Sequence, residues 1–151
     1  MPFVYANAGV LVGKPKVGSK ECVALVQHYT SVGLTRTWVA GEKVLGNPRI
    51  KIGTAIATFR NGRYLSHKSN NHAAFFLRHE NGAIVVIDQW KDDPARPDAK
   101  RDISVRTIRP RGRAFADGTW PHESDNAEAF FVIETGASAS TTTTKVPKVL
   151  K

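Results

Sequence analysis

The pair Asn81-Gly82 lies between two apolar runs, His72-Ala73-Ala74-Phe75-Phe76-Leu77 and Ile84-Val85-Val86-Ile87-Asp88-Gln89-Trp90. Asn-Gly favours the positive φ angles of a two-residue type I′ turn, so the segment predicts an antiparallel hairpin. Such a hairpin brings its open ends together, with His72 at the start of one strand and Asp88-Gln89 at the end of the other. A regular two-residue turn sets Phe75 opposite Asp88 and Ala74 opposite Gln89. Strict alternation then places His72 on the face of Gln89, and one β-bulge would bring Asp88 to that face instead. A carboxylate is the better partner for an imidazolium, so both residues stand as candidates.

Further hairpin signals surround this one. Ile50 to Phe59 reads as a strand, Asn61-Gly62 as its turn, and Arg63-Tyr64-Leu65-Ser66 as the returning run. Ile103 to Ile108 largely alternates apolar and polar residues, and Glu128 to Glu134 carries the apolar run Ala129-Phe130-Phe131-Val132-Ile133. Against these strands stands one early helical pattern, from about Lys20 to Val32, with Ser19 as candidate N-cap and Gly33 as candidate C-cap. The predicted fold class is α+β: a helix packed on an antiparallel sheet of roughly five or six strands. Gly53, Ala55 and Ala57 are small enough to let that helix lie close. The run Val10-Leu11-Val12 reads as a short strand or a packed arm.

Cys22, the only cysteine, falls in the first turn of the predicted helix. Free backbone N–H groups and the helix dipole favour a thiolate there. The competing reading makes Cys22 one more small residue of the apolar face with Leu25, Val26 and Tyr29. As a nucleophile it would need a base, and five histidines are available. His28 lies about 120° round the helix from Cys22, so it reads as a surface or packing residue. His67 sits beside a polar loop, whereas His72 opens a strand, and rigid elements position catalytic groups better than loops. His79 is separated from His72 by about 23 Å of strand and reads as solvated. His122, in a loop after Trp120-Pro121, is a weak alternative.

A single cysteine excludes an internal disulfide and a cysteine-rich metal site. The net charge of +9 predicts affinity for polyanions such as nucleic acid, anionic membrane or an acidic cell wall. Arg106, Arg109, Arg111 and Arg113 form a basic cluster, read either as a polyanion contact or as a solvated strand end. No recognised nucleic-acid motif accompanies it. No apolar run of about 20 residues predicts a membrane span. Residues 1–13 lack a basic leader and a long apolar core, so no signal peptide is predicted. Lys91 to Lys100 reads as a charged, proline-containing loop whose carboxylates lack a metal-ligand spacing, and no metal or cofactor is expected. Residues 1–135 are read as one domain, and 136–151 as a low-complexity basic tail.

A more specific resemblance rests on order and spacing. Glu21-Cys22-Val23-Ala24-Leu25-Val26, Trp38-Val39-Ala40-Gly41, Gly53-Thr54-Ala55-Ile56-Ala57-Thr58-Phe59, His72-Ala73-Ala74 and Asp88-Gln89-Trp90 succeed one another in that order. Together they resemble the NlpC-type and CHAP-type papain-like cysteine amidases, and most closely the small type VI secretion amidase effectors. The resemblance runs from about Gly18 to Ile108. It implies a papain-like core, hydrolysis of amide bonds in peptidoglycan peptide stems, and a catalytic set of Cys22, His72 and Asp88. Trp38, Gln89 and Trp90 are the candidate substrate-binding residues, with core packing the competing reading for the two tryptophans, and the favoured one for Trp38. With no export signal, the resemblance implies delivery by a type VI apparatus into the periplasm of a target bacterium, and a cognate immunity protein in the producer. Two other readings remain: a basic polyanion-binding module with a structural cysteine, and an acyltransferase using the same dyad.

Overall fold

The computed structural model describes residues 1–65, 71–91 and 102–136. Six strands form one antiparallel sheet: β1 (Trp38–Lys43), β2 (Ala55–Thr58), β3 (Ala73–Glu80), β4 (Ala83–Asp88), β5 (Ser104–Ile108) and β6 (Phe130–Thr135). Their spatial order is β1-β6-β2-β3-β4-β5. The one α-helix among the described residues, α1 (Cys22–Tyr29), packs across β3. The α+β architecture expected from the hairpin signals is therefore present. The expected loop of residues 92–100, His67 and the tail beyond residue 136 lie outside the described residues.

The helix is shorter than its apolar spacing suggests. Lys20 takes a positive φ of 72°, so the chain turns there, and Glu21 rather than Ser19 is the N-cap. The Ser19 hydroxyl instead accepts from the Glu21 N–H at 3.4 Å. At the other end Thr30 is extended, and its hydroxyl donates back to the Val26 carbonyl at 2.7 Å. A threonine hydroxyl that competes for helix carbonyls ends the helix before Val32 and Gly33 are reached. Cys22 thus occupies the first helical position, where its own N–H has no intrahelical acceptor.

The sheet carries apolar side chains on both faces. On the helix side Leu25 and Val26 meet Trp38, Ala55, Ala57, Phe59, Phe75 and Ile87. On the other side Ile56, Phe76, Ile84, Val86 and Phe130 pack beneath Val44 and Ala127. Double-sided burial explains why β4 reads as an unbroken apolar run. Ala55 and Ala57 do face the helix, but Gly53 serves another contact. A Cβ there would lie 2.0 Å from the Tyr5 carbonyl oxygen, and its φ is +88°, so Gly53 admits the N-terminal arm. The arm itself contains a 3-10 turn, Ala8–Leu11, which buries Leu11. Asn61-Gly62 turns as expected, with φ of 50° and 79°, yet among the described residues the returning run pairs only through isolated bridges of Arg63 with Arg60 and Val39.

The register of the β3–β4 hairpin decides which side chains meet at its open end. Glu80 opposes Ala83, His79 opposes Ile84 and Arg78 opposes Val85, as a two-residue Asn81-Gly82 turn requires. The register then shifts, so that Phe76 opposes Val86 and Phe75 opposes Ile87. Leu77 is the extra residue of a β-bulge. Continuing the pairing sets Ala74 opposite Asp88, so His72 shares a face with Asp88, and Gln89 turns to the helix side.

Candidate active site

Three elements converge at one end of the sheet: the start of α1, the entry to β3 and the exit of β4. His72 is held there by its backbone, whose N–H donates to the Thr58 hydroxyl at 3.0 Å and whose carbonyl accepts from the Thr58 N–H at 2.9 Å. Its side chain is buried, and Nε2 lies 2.7 Å from Oδ2 of the fully buried Asp88. A carboxylate accepts, so Nε2 carries the proton and Nδ1 is left for the thiol. His72 is the side chain that most favours the Cys22 thiolate, and the Ala73 backbone N–H and the Tyr64 hydroxyl also act on the sulfur.

Burial pushes the Cys22 thiol up, but the hydrogen bond and charge of His72, with the Ala73 N–H and the Tyr64 hydroxyl, outweigh it and hold the thiol below its ordinary value. Burial drives the Tyr64 phenol strongly upward and the neighbouring Cys22 charge adds to this, so its hydroxyl stays protonated and able to donate. Tyr64 is itself fixed by rings, with Trp38 at 4.9 Å and Phe59 at 6.2 Å between centroids. Cys22 as a whole residue is half-buried. A lowered thiol, a base with the correct tautomer and a carboxylate behind it form a set able to attack a carbonyl carbon.

The structure brings together Cys22, His72 and Asp88, and it gives the three candidate substrate residues different surroundings. Trp90 is half-buried at the mouth of the site, its ring 6.4 Å from that of His72 and steeply inclined to it, at 61°. Gln89 is fully buried and its amide is engaged by the backbone. Its Oε1 accepts from the Val17 N–H at 3.0 Å, and Nε2 donates to the carbonyls of Val17 at 3.1 Å and Glu21 at 2.9 Å. It therefore ties the helix start to β4 and presents nothing to a ligand. Trp38 is likewise wholly buried, its indole N–H donating to the Val32 carbonyl at 3.0 Å, so it backs Tyr64 from the core and does not wall a groove.

The other histidines are elsewhere. His28 is exposed, in edge contact with the Tyr29 ring at 4.7 Å, and His122 is an exposed loop residue with φ of 48°. His79 differs from its expected solvated state. It is half-buried, and Nε2 bonds the Val44 carbonyl at 2.8 Å, because its strand position turns it onto the apolar face beside Phe76. Nor is the arginine cluster a free basic patch throughout. Arg106 bonds Asp88 and Asp125, and Arg111 pairs with Asp125 at 3.0 Å.

Two neighbours of the reactive groups escape sequence reasoning: Tyr64 beside the sulfur and Arg106 beside Asp88. Tyr64 carries no signal, because its approach depends on the way the chain leaves the Asn61-Gly62 turn. Arg106 does carry one. It shares strand parity with the buried Ile108, an inward position where a cation needs a partner. Among the described residues no group of three or more His, Cys, Asp or Glu side chains is arranged to hold a metal ion.

Comparison with known proteins identifies the family. Residues 4–133 match the family model described as domesticated amidase effector 2. A type VI secretion amidase effector 2 protein of Salmonella typhi is 52% identical over 137 residues, which cover 89% of this chain and 100% of that protein. The solved structure of a type 6 secretion amidase effector 2 (Tae2) superposes with a TM-score of 0.81 at 49% identity, covering 91% of this chain and 98% of the other. The family model spans most of the chain and includes all three elements of the site, and the relative covers a similar share, so the chain belongs to the domesticated amidase effector 2 family.

Proposed function

We propose that the chain is a cysteine amidase that hydrolyses amide bonds in the peptide stems of peptidoglycan, with Cys22 as nucleophile, His72 as general base and acid, and Asp88 as the group that orients His72. The observation that carries this reading is the 2.7 Å contact between His72 Nε2 and Asp88, together with the lowering of the Cys22 thiol by the same imidazole. Cys22 Sγ attacks the amide carbonyl, and His72 Nδ1 holds the proton. The Cys22 backbone N–H at the helix start is the candidate donor to the developing oxyanion. His72 then protonates the leaving amine, a thioester forms, and water activated by the same imidazole releases the acid. Trp90, half-buried beside His72, is the candidate contact for the substrate.

The names of the relatives support a role as a type VI secretion amidase effector, and with it we propose action on a target bacterium's wall in the periplasm and an immunity protein in the producer. The net charge of +9 suits attraction to a wall rich in carboxylates. No helix among the described residues is long and apolar enough to cross a membrane.

The test is digestion of purified peptidoglycan followed by mass analysis, comparing the native chain with Cys22→Ala. The reading requires new amine and carboxylate ends from the native chain alone. A second arm expresses both proteins in a bacterial host with and without a fused periplasmic signal. Lysis only by the periplasmic native chain supports the effector role, whereas toxicity confined to the cytoplasm or indifferent to Cys22→Ala favours a polyanion-binding module.

A further inference from the structure

Arg106 stands on β5 two residues from Ser104, which opposes Asp88, so Arg106 and Asp88 share a face as diagonal neighbours. Its Nε donates to Asp88 Oδ2 at 3.0 Å, the oxygen that also accepts from His72 Nε2. Its other two nitrogens bond a different part of the chain: Nη1 donates to Asp125 Oδ1 at 3.0 Å and Nη2 to the Ser124 carbonyl at 3.1 Å. The guanidinium carbon lies 5.6 Å from the centroid of the Trp90 ring. A planar fork held at all three nitrogens and against a ring cannot turn without breaking several contacts.

The segment that receives this fork is itself anchored. Asn126 is fully buried, and its Oδ1 accepts from the N–H groups of Arg111 at 2.8 Å and Glu128 at 3.1 Å. Its Nδ2 donates to the carbonyls of Gly112 at 3.0 Å and Pro121 at 2.9 Å. Arg111 adds a bond from Nε to the Asp125 carbonyl at 3.0 Å. The 123–126 segment therefore offers Arg106 a fixed support rather than a loose loop end.

We propose that Arg106 is a positioning residue for the amidase reaction: it grips the carboxylate oxygen that orients His72 and transmits the rigidity of the 123–126 segment, through Asp88, to the imidazole. The proposal rests on the assignment of Cys22, His72 and Asp88 above. A guanidinium kept only for stability would pair with Asp125 and Ser124 alone. Arg106 instead directs its Nε to the atom that His72 uses. It also stands close enough to the sulfur for its charge to interact with a Cys22 thiolate. The charged groups facing it among the described residues are Asp88 from β4, Asp125 from the 123–125 turn, Arg111 beyond Asp125, and Cys22 and His72 from the site.

The experiment compares the native chain with Arg106→Met and Arg106→Lys, using two readouts. The first is the pH dependence of Cys22 alkylation by iodoacetamide, which needs no substrate. The second is kcat and KM on peptidoglycan. Arg106→Met removes a cation that favours the thiolate, so the alkylation midpoint moves to higher pH. It also frees Asp88 to turn, so kcat falls by about 10²-fold, the scale of a misplaced catalytic group, with KM little changed. Arg106→Lys restores the midpoint but not the full kcat, because an ammonium supplies charge without a three-point fork. An unmoved midpoint with native kcat in Arg106→Met overturns the proposal, as does a loss equal in both variants that tracks only their thermal stability. If Arg106→Met does not fold, Arg106→Lys and Asp125→Asn decide: native kcat in both folded variants overturns it, and reduced kcat at unchanged KM supports it. A native chain that leaves peptidoglycan intact, while its alkylation midpoint still shifts with Arg106, refutes the substrate and leaves the role of Arg106 at the thiol standing.

Discussion

β3 carries one histidine just before its first residue and another next to its last, and the two differ in everything but their chemistry and their face. His72 and His79 are seven residues apart, a spacing that places them on opposite faces of a regular strand. The bulge at Leu77 turns both to the same face. His79 meets the Val44 carbonyl and the Phe76 ring, a neutral environment with no acid behind it and no nucleophile in front among the described residues. His72 meets a buried carboxylate at Nε2, and its ring favours the Cys22 thiolate. An imidazole on an apolar sheet face is thus not a general base by type or burial. The proposed role of His72 rests instead on the carboxylate at Nε2 and on its coupling to the Cys22 thiol.

The sharpest way to break this comparison is to remove each ring in turn. His72→Ala should cost about 10⁴-fold or more in kcat on peptidoglycan, the scale at which loss of one member of a catalytic set is felt. His79→Ala should leave kcat close to native. A pair of initial-rate measurements decides this, and equal losses at the two positions would remove the distinction.

The next largest effect belongs to the carboxylate. Asp88→Asn should lower kcat by about 10²- to 10⁴-fold with modest change in KM, because an amide no longer enforces one tautomer of His72. Gln89→Ala sharpens the contrast between the two residues at the end of β4. Its loss should appear mainly as lower stability, by about 1–3 kcal/mol in chemical denaturation, since two carbonyls and one N–H of the Val17–Glu21 segment lose their partner.

The pH behaviour of the thiol gives a third test. In the native chain the lowered thiol should react with iodoacetamide at pH values below the ordinary cysteine midpoint of about 8.5, with reactivity lost as pH falls through the lowered pKa. In His72→Ala, burial acts with only the Ala73 N–H and the Tyr64 hydroxyl against it, so the midpoint should move upward. His79→Ala should leave the midpoint in place. The smallest expected effect is the stability of His79→Ala, about 1–2 kcal/mol below native by thermal or chemical unfolding, for one hydrogen bond and the packing on Phe76.

Much of this molecule is legible from local signals alone. Asn81-Gly82 and Asn61-Gly62 adopt the positive φ pairs that their residue types favour, because a turn is decided by the two residues that make it. The helical spacing after Cys22 locates α1, and the apolar runs locate β3, β4, β5 and β6, because burial imposes a period on the chain. The order of cysteine, histidine and acid-amide motifs suffices to point to the family that the comparisons show. The ends of α1 depart from the apolar spacing for a local reason of another kind: the positive φ of Lys20 and the hydroxyl of Thr30 act against a pattern that continues past them.

Other assignments depend on contacts between distant segments. Asp88 and Gln89 are adjacent, and turn chemistry alone favours Gln89 as the neighbour of His72. The extra residue at Leu77 reverses that choice, and a bulge is set by how both faces of the sheet pack rather than by the turn. The roles then separate, with Asp88 on the imidazole and Gln89 on the backbone that starts the helix. Trp38 lies in the core and Tyr64 beside the site for a similar reason: ring packing buries the tryptophan and leaves the phenol near the sulfur. Arg106 reads as one of four clustered arginines until β5 is laid beside β4 and its fork closes on Asp88, Asp125 and Ser124. Sequence determines which elements form and which chemical groups are present, because these depend on neighbours along the chain. Tertiary structure alone decides which groups share a face and an atom, because register and packing couple residues far apart in sequence.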